Sequence, residues 1–471
     1  MLPGMSKPST TDCPAPSGAP KRQLTLFDST CIIVGIIIGA GIYESSPLIA
    51  RNVAGVAALI GTWILGGALS LVGALCYAEL ATAYPRSGGD YVYLSRAFGR
   101  WIGFLFAWIQ LWVVRPGSIG AMAYIFARYA YHLRPFGDES QKPLVFTAYA
   151  AGSILVLTIV NLLGVREGKW TQNLLTTVKT LGLMAVAAIG LCFAAPAAAV
   201  PAPLPDPANM DFGLALILVL FAYGGWSEMA YVGAEVHDPH KNILRALLLG
   251  TVAVAAVYVV VTLAFLHCLG LEGTRNSGAV AAQVLELGLG SWAGSAISVL
   301  ICISALGAIN GQIFTGSRIY YAMGSDHRLF GLLGKWNERL GIPVWSLLIQ
   351  AVITLATVIG FGLVGKDKVS KSGFEAMVMY TTPVFWGFLF LVGIGLMVLR
   401  RRAPEAANPY RVPGYPVVPI MFCASCLYLV YRSLTYAIHF GSYEVFWALG
   451  LLAVGVVVSF FNRASAGEKQ I

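Results

Sequence analysis

Charge is scarce in this chain. Of 471 residues only 11% are Asp, Glu, Lys or Arg, against about 25% in soluble domains. So thin a polar coat excludes an ordinary soluble enzyme, and it equally excludes a charge-rich disordered tail protein. The eight cysteines sit mostly inside apolar runs and form no framework of closely spaced pairs, which excludes a small secreted disulfide module. Cys423 and Cys426 spell C-x-x-C, but inside a run of Leu, Tyr and Val. There they read as two small apolar residues one turn apart, not a redox site. His237 and His240 flank Asp238 with no other clustered ligand, so neither a metal nor another cofactor is expected. A nucleotide motif, a Ser/His/Asp arrangement and an N-x-Ser/Thr sequon are all missing, and nothing points to an enzyme.

What the chain has instead is apolar length. It is 57% hydrophobic, with a mean hydropathy of +0.73. That is roughly 268 apolar residues, and twelve spans of about 20 need about 240. Twelve stretches of helix length follow in order: Leu26–Ala50, Val56–Thr82, Trp101–Tyr129, Leu144–Leu163, Leu174–Ala194, Phe212–Val232, Ile243–Leu269, Trp292–Tyr321, Val344–Leu363, Phe374–Leu399, Val417–Ile438 and Val445–Phe461. The fold class is an all-α membrane protein with 12 transmembrane helices. Residues 1–23, rich in Pro, Ser and Thr, read as a tail and not a signal peptide. Residues 24–402 read as a ten-helix core, 403–463 as a loop with the last two helices, and 464–471 as a second tail.

Orientation follows from Lys and Arg. With both termini cytoplasmic, 20 of the 31 fall at the inner side and 8 at the outer side. That is a positive-inside distribution, so the basic net charge of +9 reflects topology and not a nucleic-acid partner.

Glycine placement is the most informative feature. The first span reads Val34-Gly35-Ile36-Ile37-Ile38-Gly39-Ala40-Gly41-Ile42-Tyr43, and the sixth reads Phe221-Ala222-Tyr223-Gly224-Gly225-Trp226-Ser227-Glu228. Each weakens a helix in mid-span. Gly35 and Gly39 also form G-x-x-x-G, which alone would favour close packing. Two such interruptions five spans apart point instead to an inverted-repeat transporter with a midplane site. Unwinding at Gly39-Ala40-Gly41 frees backbone amides suited to a carboxylate. Carbonyls near Ile36, Ile37 and Phe221 suit an ammonium, so bare backbone can hold an amino acid zwitterion. Phe221 and Trp226 are the expected lids over its side chain.

These segments resemble the amino acid–polyamine–organocation superfamily, and within it the L-type amino acid transporter branch. Val34 to Tyr43 is similar to the first-helix G-[SA]-G motif, and Phe221 to Trp226 to the sixth-helix signature. Tyr77-Ala78-Glu79-Leu80, Ser87-Gly88-Gly89-Asp90-Tyr91, Arg115-Pro116, Asp238-Pro239 with Asn242, Asn310-Gly311 and Ser317-Arg318 extend the likeness over about residues 24 to 440. It implies a LeuT-type fold of five plus five inverted helices with two more at the end, alternating access, and amino acid transport. By position, Gly39, Ala40 and Gly41 would bind the substrate carboxylate, while the Ile37, Phe221 and Gly224 backbones would meet the amine and Phe221 would gate. Members joined to a glycoprotein subunit have a cysteine after the third helix. Tyr131 to Pro143 has none, so no disulfide-linked heavy subunit is expected.

Charges within spans complete the reading. Lys179 lies ten residues beyond Lys169, about 15 Å along a helix. A buried ammonium there is functional by default, and a fixed positive charge can replace a cation. The resemblance puts it where sodium-coupled relatives hold sodium, linking the first and eighth helices, so sodium-independent transport is expected. Glu228 stands just past the sixth-span break, where relatives commonly carry an uncharged residue. Selection of cationic substrates, proton relay and pairing with a nearby base stay open for it. Arg115, before Pro116, reads as a packing residue beside a kink. Glu79, Arg86, Asp90 and Arg318 cluster near cytoplasmic ends as an ion-paired inner gate or a solvated face. The resulting expectation is a sodium-independent exchanger of neutral L-amino acids in the cell membrane. A proton-coupled amino acid or polyamine symporter and a non-transporting amino acid sensor are the alternatives.

Overall fold

The computed structural model describes residues 22–136, 138, 141–192, 210–290, 292–364, 373–402, 410–440 and 443–461. The expected tails, apart from Arg22 and Gln23, lie outside the described residues, as does the Ala- and Pro-rich stretch 193–209.

The described residues form helices joined by short loops, with no strand among them. Chain entry is set by a capping box. Thr25 Oγ accepts from the Asp28 amide at 3.2 Å, and Asp28 accepts from the Thr25 amide at 2.9 Å. The first span is two helices, α1 (Leu26–Ile37) and α2 (Gly41–Arg51), bent by 44° at the intervening residues. Next come α3 (Val56–Ala83) and a short α4 (Asp90–Phe98). The third span joins α5 (Arg100–Ile109) to α6 (Arg115–Leu133) through a π-helical turn, Gln110–Val114. Two whole spans follow, α7 (Lys142–Leu163) and α8 (Val165–Cys192). The sixth is α9 (Phe212–Ala222), a break, and a 3₁₀ segment Trp226–Glu235. Beyond it lie α10 (Pro239–Asn276), a short α11 (Val280–Leu289), α12 (Ala293–Asp326), α13 (Val344–Val364), α14 (Gly373–Arg402), α15 (Val417–Phe440) and α16 (Tyr443–Phe461).

Ten of these helical spans are long and apolar enough to cross a membrane singly, and the bent α1–α2 pair makes an eleventh. The 19-residue α16, apolar but shorter, stands where the twelfth is expected. The fifth helix begins nine residues before the apolar stretch at Leu174. Arg166, Glu167 and Lys169 break hydropathy without breaking helix propensity. Neither α4 nor α11 stands out by hydropathy, since each is only nine or ten residues long.

The broken spans lie inside the bundle and intact helices surround them. Leu155 and Ile159 of α7, Leu181 of α8 and Val352 of α13 expose large apolar side chains on the outside, as lipid-facing helices do. Inside, amides tie helices together. Asn161 of α7 donates to Asn310 of α12 at 2.8 Å, and Asn310 donates to Gln172 of α8 at 3.0 Å. An aromatic cluster of Trp63, Tyr223 and Tyr258, with Trp63 edge-on to both tyrosines, packs α3 and α10 against the sixth-span break.

Candidate functional site

The first break begins where α1 runs out of helix-forming residues. The Gly39 amide turns back to the Ile37 carbonyl at 2.7 Å, and α2 starts its ladder only with Tyr43 and Glu44 donating to Ala40. The amides of Ala40, Gly41 and Ile42 therefore precede that ladder, at the positive end of a helix dipole.

At the second break, Gly224 donates to the Phe221 carbonyl at 2.9 Å, and Gly225 follows with φ of 123°. A Cβ on Gly225 would fall 2.7 Å from Ile36 Cγ2, so this glycine is needed both for its left-handed backbone and for close approach to α1. The 3₁₀ segment beyond runs ten residues, far longer than the usual three or four. Tyr258 of α10 reaches both breaks at once: its hydroxyl lies 2.7 Å from the Ile37 carbonyl and 3.2 Å from that of Ala222.

Both breaks face one cavity of about 90 Å³. Since one water needs about 10–15 Å³ by this measure, the space suits a small molecule. Gly39, Gly41, Phe221 and Gly224 line it, with Ile37. Ala40 is fully buried as the residue preceding α2, and its carbonyl serves the first turn of that helix. Of the expected backbone residues, Ile37, Gly39, Gly41, Phe221 and Gly224 therefore line one space, and Ala40 does not.

Charge enters the cavity through Glu228 and Arg115. They pair at 2.8 Å, with side chains 12% and 3% exposed. Thr315 of α12 also donates to the Glu228 carboxylate, and Arg115 Nε donates to Gln110 Oε1 at 3.2 Å. Just before Arg115-Pro116 the helix takes a π turn, and Gln110 and Arg115 line the cavity. Arg115 is thus more than a packing residue, and Glu228 has the basic partner that was one of its three readings.

Lys179 is fully buried. Its ammonium donates to the Gly35 carbonyl of α1 and to that of Ser304 of α12 at 3.4 Å. Trp226, expected as a lid beside Phe221, is placed elsewhere. The turn at Gly225 sends its ring onto Tyr77 of α3 at 5.0 Å and Phe422 of α15 at 6.0 Å, in a slot left by Gly73. It does not line the cavity.

The cluster of Glu79, Arg86, Asp90 and Arg318 separates into different contacts. Arg318 pairs with Glu235 at 2.8 Å, joining α12 to the end of the 3₁₀ segment. Glu79 accepts from Arg400 at 3.2 Å and from the Val412 amide at 2.6 Å. Asp90 accepts from the Tyr231 hydroxyl at 2.8 Å. Glu235, two turns beyond Glu228, is the carboxylate partner of Arg318 that sequence reading missed. The His237–Asp238–His240 stretch forms no metal-type group among the described residues, and His240 Nδ1 lies 2.9 Å from the Thr82 carbonyl.

Comparison with known proteins agrees with this architecture. Residues 24–459 match the amino acid permease family. Over 421 residues the chain is 28% identical to the serine/threonine exchanger SteT of Bacillus subtilis, covering 88% of this chain and 91% of that protein. It is 31% identical over 425 residues to the human large neutral amino acids transporter small subunit 2, covering 86% and 75%. It is 28% identical over 428 residues to the human cystine/glutamate transporter, covering 88% and 80%. With two broken spans around one cavity and a family match over nearly its whole length, the chain belongs to the amino acid permease family of the amino acid–polyamine–organocation superfamily.

Proposed function

We propose that this protein is a secondary transporter that exchanges neutral L-amino acids by alternating access, without sodium, in the cell membrane and with both termini cytoplasmic. The carrying observation is that Gly39 and Gly41, on either side of the start of α2, and Phe221, Ala222 and Gly224, at the end of α9, line one small cavity. The backbone at Gly39, Ala40 and Gly41 takes the substrate carboxylate, with the Gly41 amide preceding the α2 ladder at the cavity wall. The backbone at Ile37, Phe221 and Gly224 takes the ammonium, and the Phe221 ring gates access. Lys179 supplies a fixed positive charge between α1 and α12, the place a coupling cation would otherwise fill.

The names of two relatives, a serine/threonine exchanger and a large neutral amino acids transporter, support neutral substrates. The cystine/glutamate transporter is a relative at similar identity, so charge preference rests on this chain's own residues. The amino acid and the surrounding lipid are the partners proposed. A disulfide-linked subunit is not, because Tyr131 to Pro143 has no cysteine.

Uptake into proteoliposomes with and without internal amino acids tests the proposal. Sodium-free uptake of a labelled neutral amino acid that requires internal amino acid is the expected result. Equal uptake into empty vesicles, rising with an inward proton gradient, would make the protein a symporter. Binding without uptake would make it a sensor.

A further inference from the structure

Among the described residues lining the cavity, only Arg115 and Glu228 carry formal charge. They come from different spans, and neither faces a second charged residue across that space. Both line the cavity, Glu228 the more exposed of the two, and each charge is met by the other at 2.8 Å. A further carboxyl, Asp90, lies beyond the Tyr231 hydroxyl and does not line the cavity.

We propose that the Arg115–Glu228 pair sets the charge class of the substrate. The assignment rests on the transport reading above and deepens it. While paired, the two groups cancel, and the cavity admits a zwitterion whose side chain is uncharged. A carboxylate side chain finds the guanidinium already taken and a like charge beside it. An ammonium side chain finds Glu228 already neutralised by Arg115 and would have to displace it. Each member also has a hydrogen bond outside the pair, Glu228 from Thr315 and Arg115 to Gln110, and Arg115 Nη1 reaches the Thr315 hydroxyl as well at 3.3 Å. Removing one charge therefore leaves its partner in place and open to a substrate. Arg115 freed by Glu228→Gln remains charged at all working pH values and has its Nη2 released to a carboxylate, with Nε and Nη1 still on Gln110 and Thr315. Glu228 freed by Arg115→Gln accepts an ammonium or guanidinium.

The alternative role for the pair is purely structural, a strut between α6 and the 3₁₀ segment. The two roles separate by competition in proteoliposomes, with labelled serine or leucine taken up against unlabelled glutamate, lysine and glutamine. In the wild type, glutamate and lysine are expected to compete at least tenfold more weakly than glutamine. In Glu228→Gln, glutamate gains at least tenfold while lysine does not. In Arg115→Gln, lysine gains at least tenfold while glutamate does not. A strut would lower melting temperature in both variants and leave the order of competitors unchanged, which would overturn the assignment. Should the variants fail to fold, wild-type competition by histidine decides. It is expected to weaken between pH 7.5 and pH 5.5, as the free imidazole protonates, while glutamine competition stays level. Histidine competing equally at both pH values overturns the proposal. A wild type that moves no amino acid brings down the transport reading itself, and this assignment with it. One that moves neutral and charged amino acids equally overturns this assignment alone.

Discussion

The Lys179 ammonium joins three helices by donating to the Gly35 carbonyl of α1 while lying 3.4 Å from the Ser304 carbonyl of α12. Gly35 is in the last turn before the first break, so the charge braces the helix at the point where its own ladder ends. Lys179→Ala is expected to reduce uptake at least tenfold at equal protein, and wild-type uptake should be the same in sodium and choline chloride. Sodium stimulation of the wild type, or an active variant, would contradict this.

The glycines at the two breaks are not equivalent. A Cβ on Gly225 meets Ile36 Cγ2 at 2.7 Å and a backbone nitrogen at 3.1 Å, in a left-handed conformation. Gly225→Ala should therefore lower the melting temperature and abolish uptake. A Cβ on Gly41 first meets Ala222 at 3.7 Å, an ordinary contact. Gly41→Val is expected to melt near the wild type but to lose the thermal shift that substrate confers. If the variant retains that shift, the backbone cleft is not the carboxylate site.

Arg318 and Glu235 form a two-pronged pair at 2.8 and 3.1 Å with side chains 1% and 2% exposed. Removing one partner strands a buried charge, which costs about 3–5 kcal/mol. Arg318→Ala should lower the melting temperature sharply, and Arg318→Met/Glu235→Met should recover much of the loss. A single variant as stable as the wild type would show that the pair contributes nothing to holding α12 against the 3₁₀ segment.

Asp90 in α4, outside the spanning segments, is 1% exposed. Burial pushes its carboxyl up to about 7, against the lowering effect of the Tyr231 hydrogen bond. The folded state thus keeps a proton that the unfolded chain releases near pH 4. Its contribution becomes less favourable as pH rises from about 4 to about 7, then levels off. Asp90→Asn should melt above the wild type at pH 8, with the advantage shrinking toward pH 5. A gap independent of pH would show that Asp90 keeps the same protonation in both states.

The breaks were legible because glycine is conspicuous in an apolar run, and Lys179 because a charge is. The direction of Trp226 was not, since it depends on the single left-handed turn at Gly225 and on the slot at Gly73. Arg115 was read as packing because sequence does not reveal a π turn. The extra residue in that turn changes the register between Gln110 and Arg115, and the structure sets Gln110 against Arg115, which pairs with Glu228 on another span. The supposed inner cluster failed for a related reason. Proximity along the chain and at one membrane edge left open which acid each arginine would reach, and Arg318 took Glu235.

Tyr258 has two acceptors within reach but a single hydroxyl hydrogen. The Ile37 carbonyl has two lone pairs, one already used by the Gly39 amide. An ammonium arriving at Ile37 needs the other, and Tyr258 can yield it by turning to Ala222 without losing a partner. The exchange swaps one donor for another at α1 while adding one at the end of α9. Filling the site would then shift a hydrogen bond from the first repeat to the second, so that one rotating hydroxyl reports occupancy of one half of the molecule to the other.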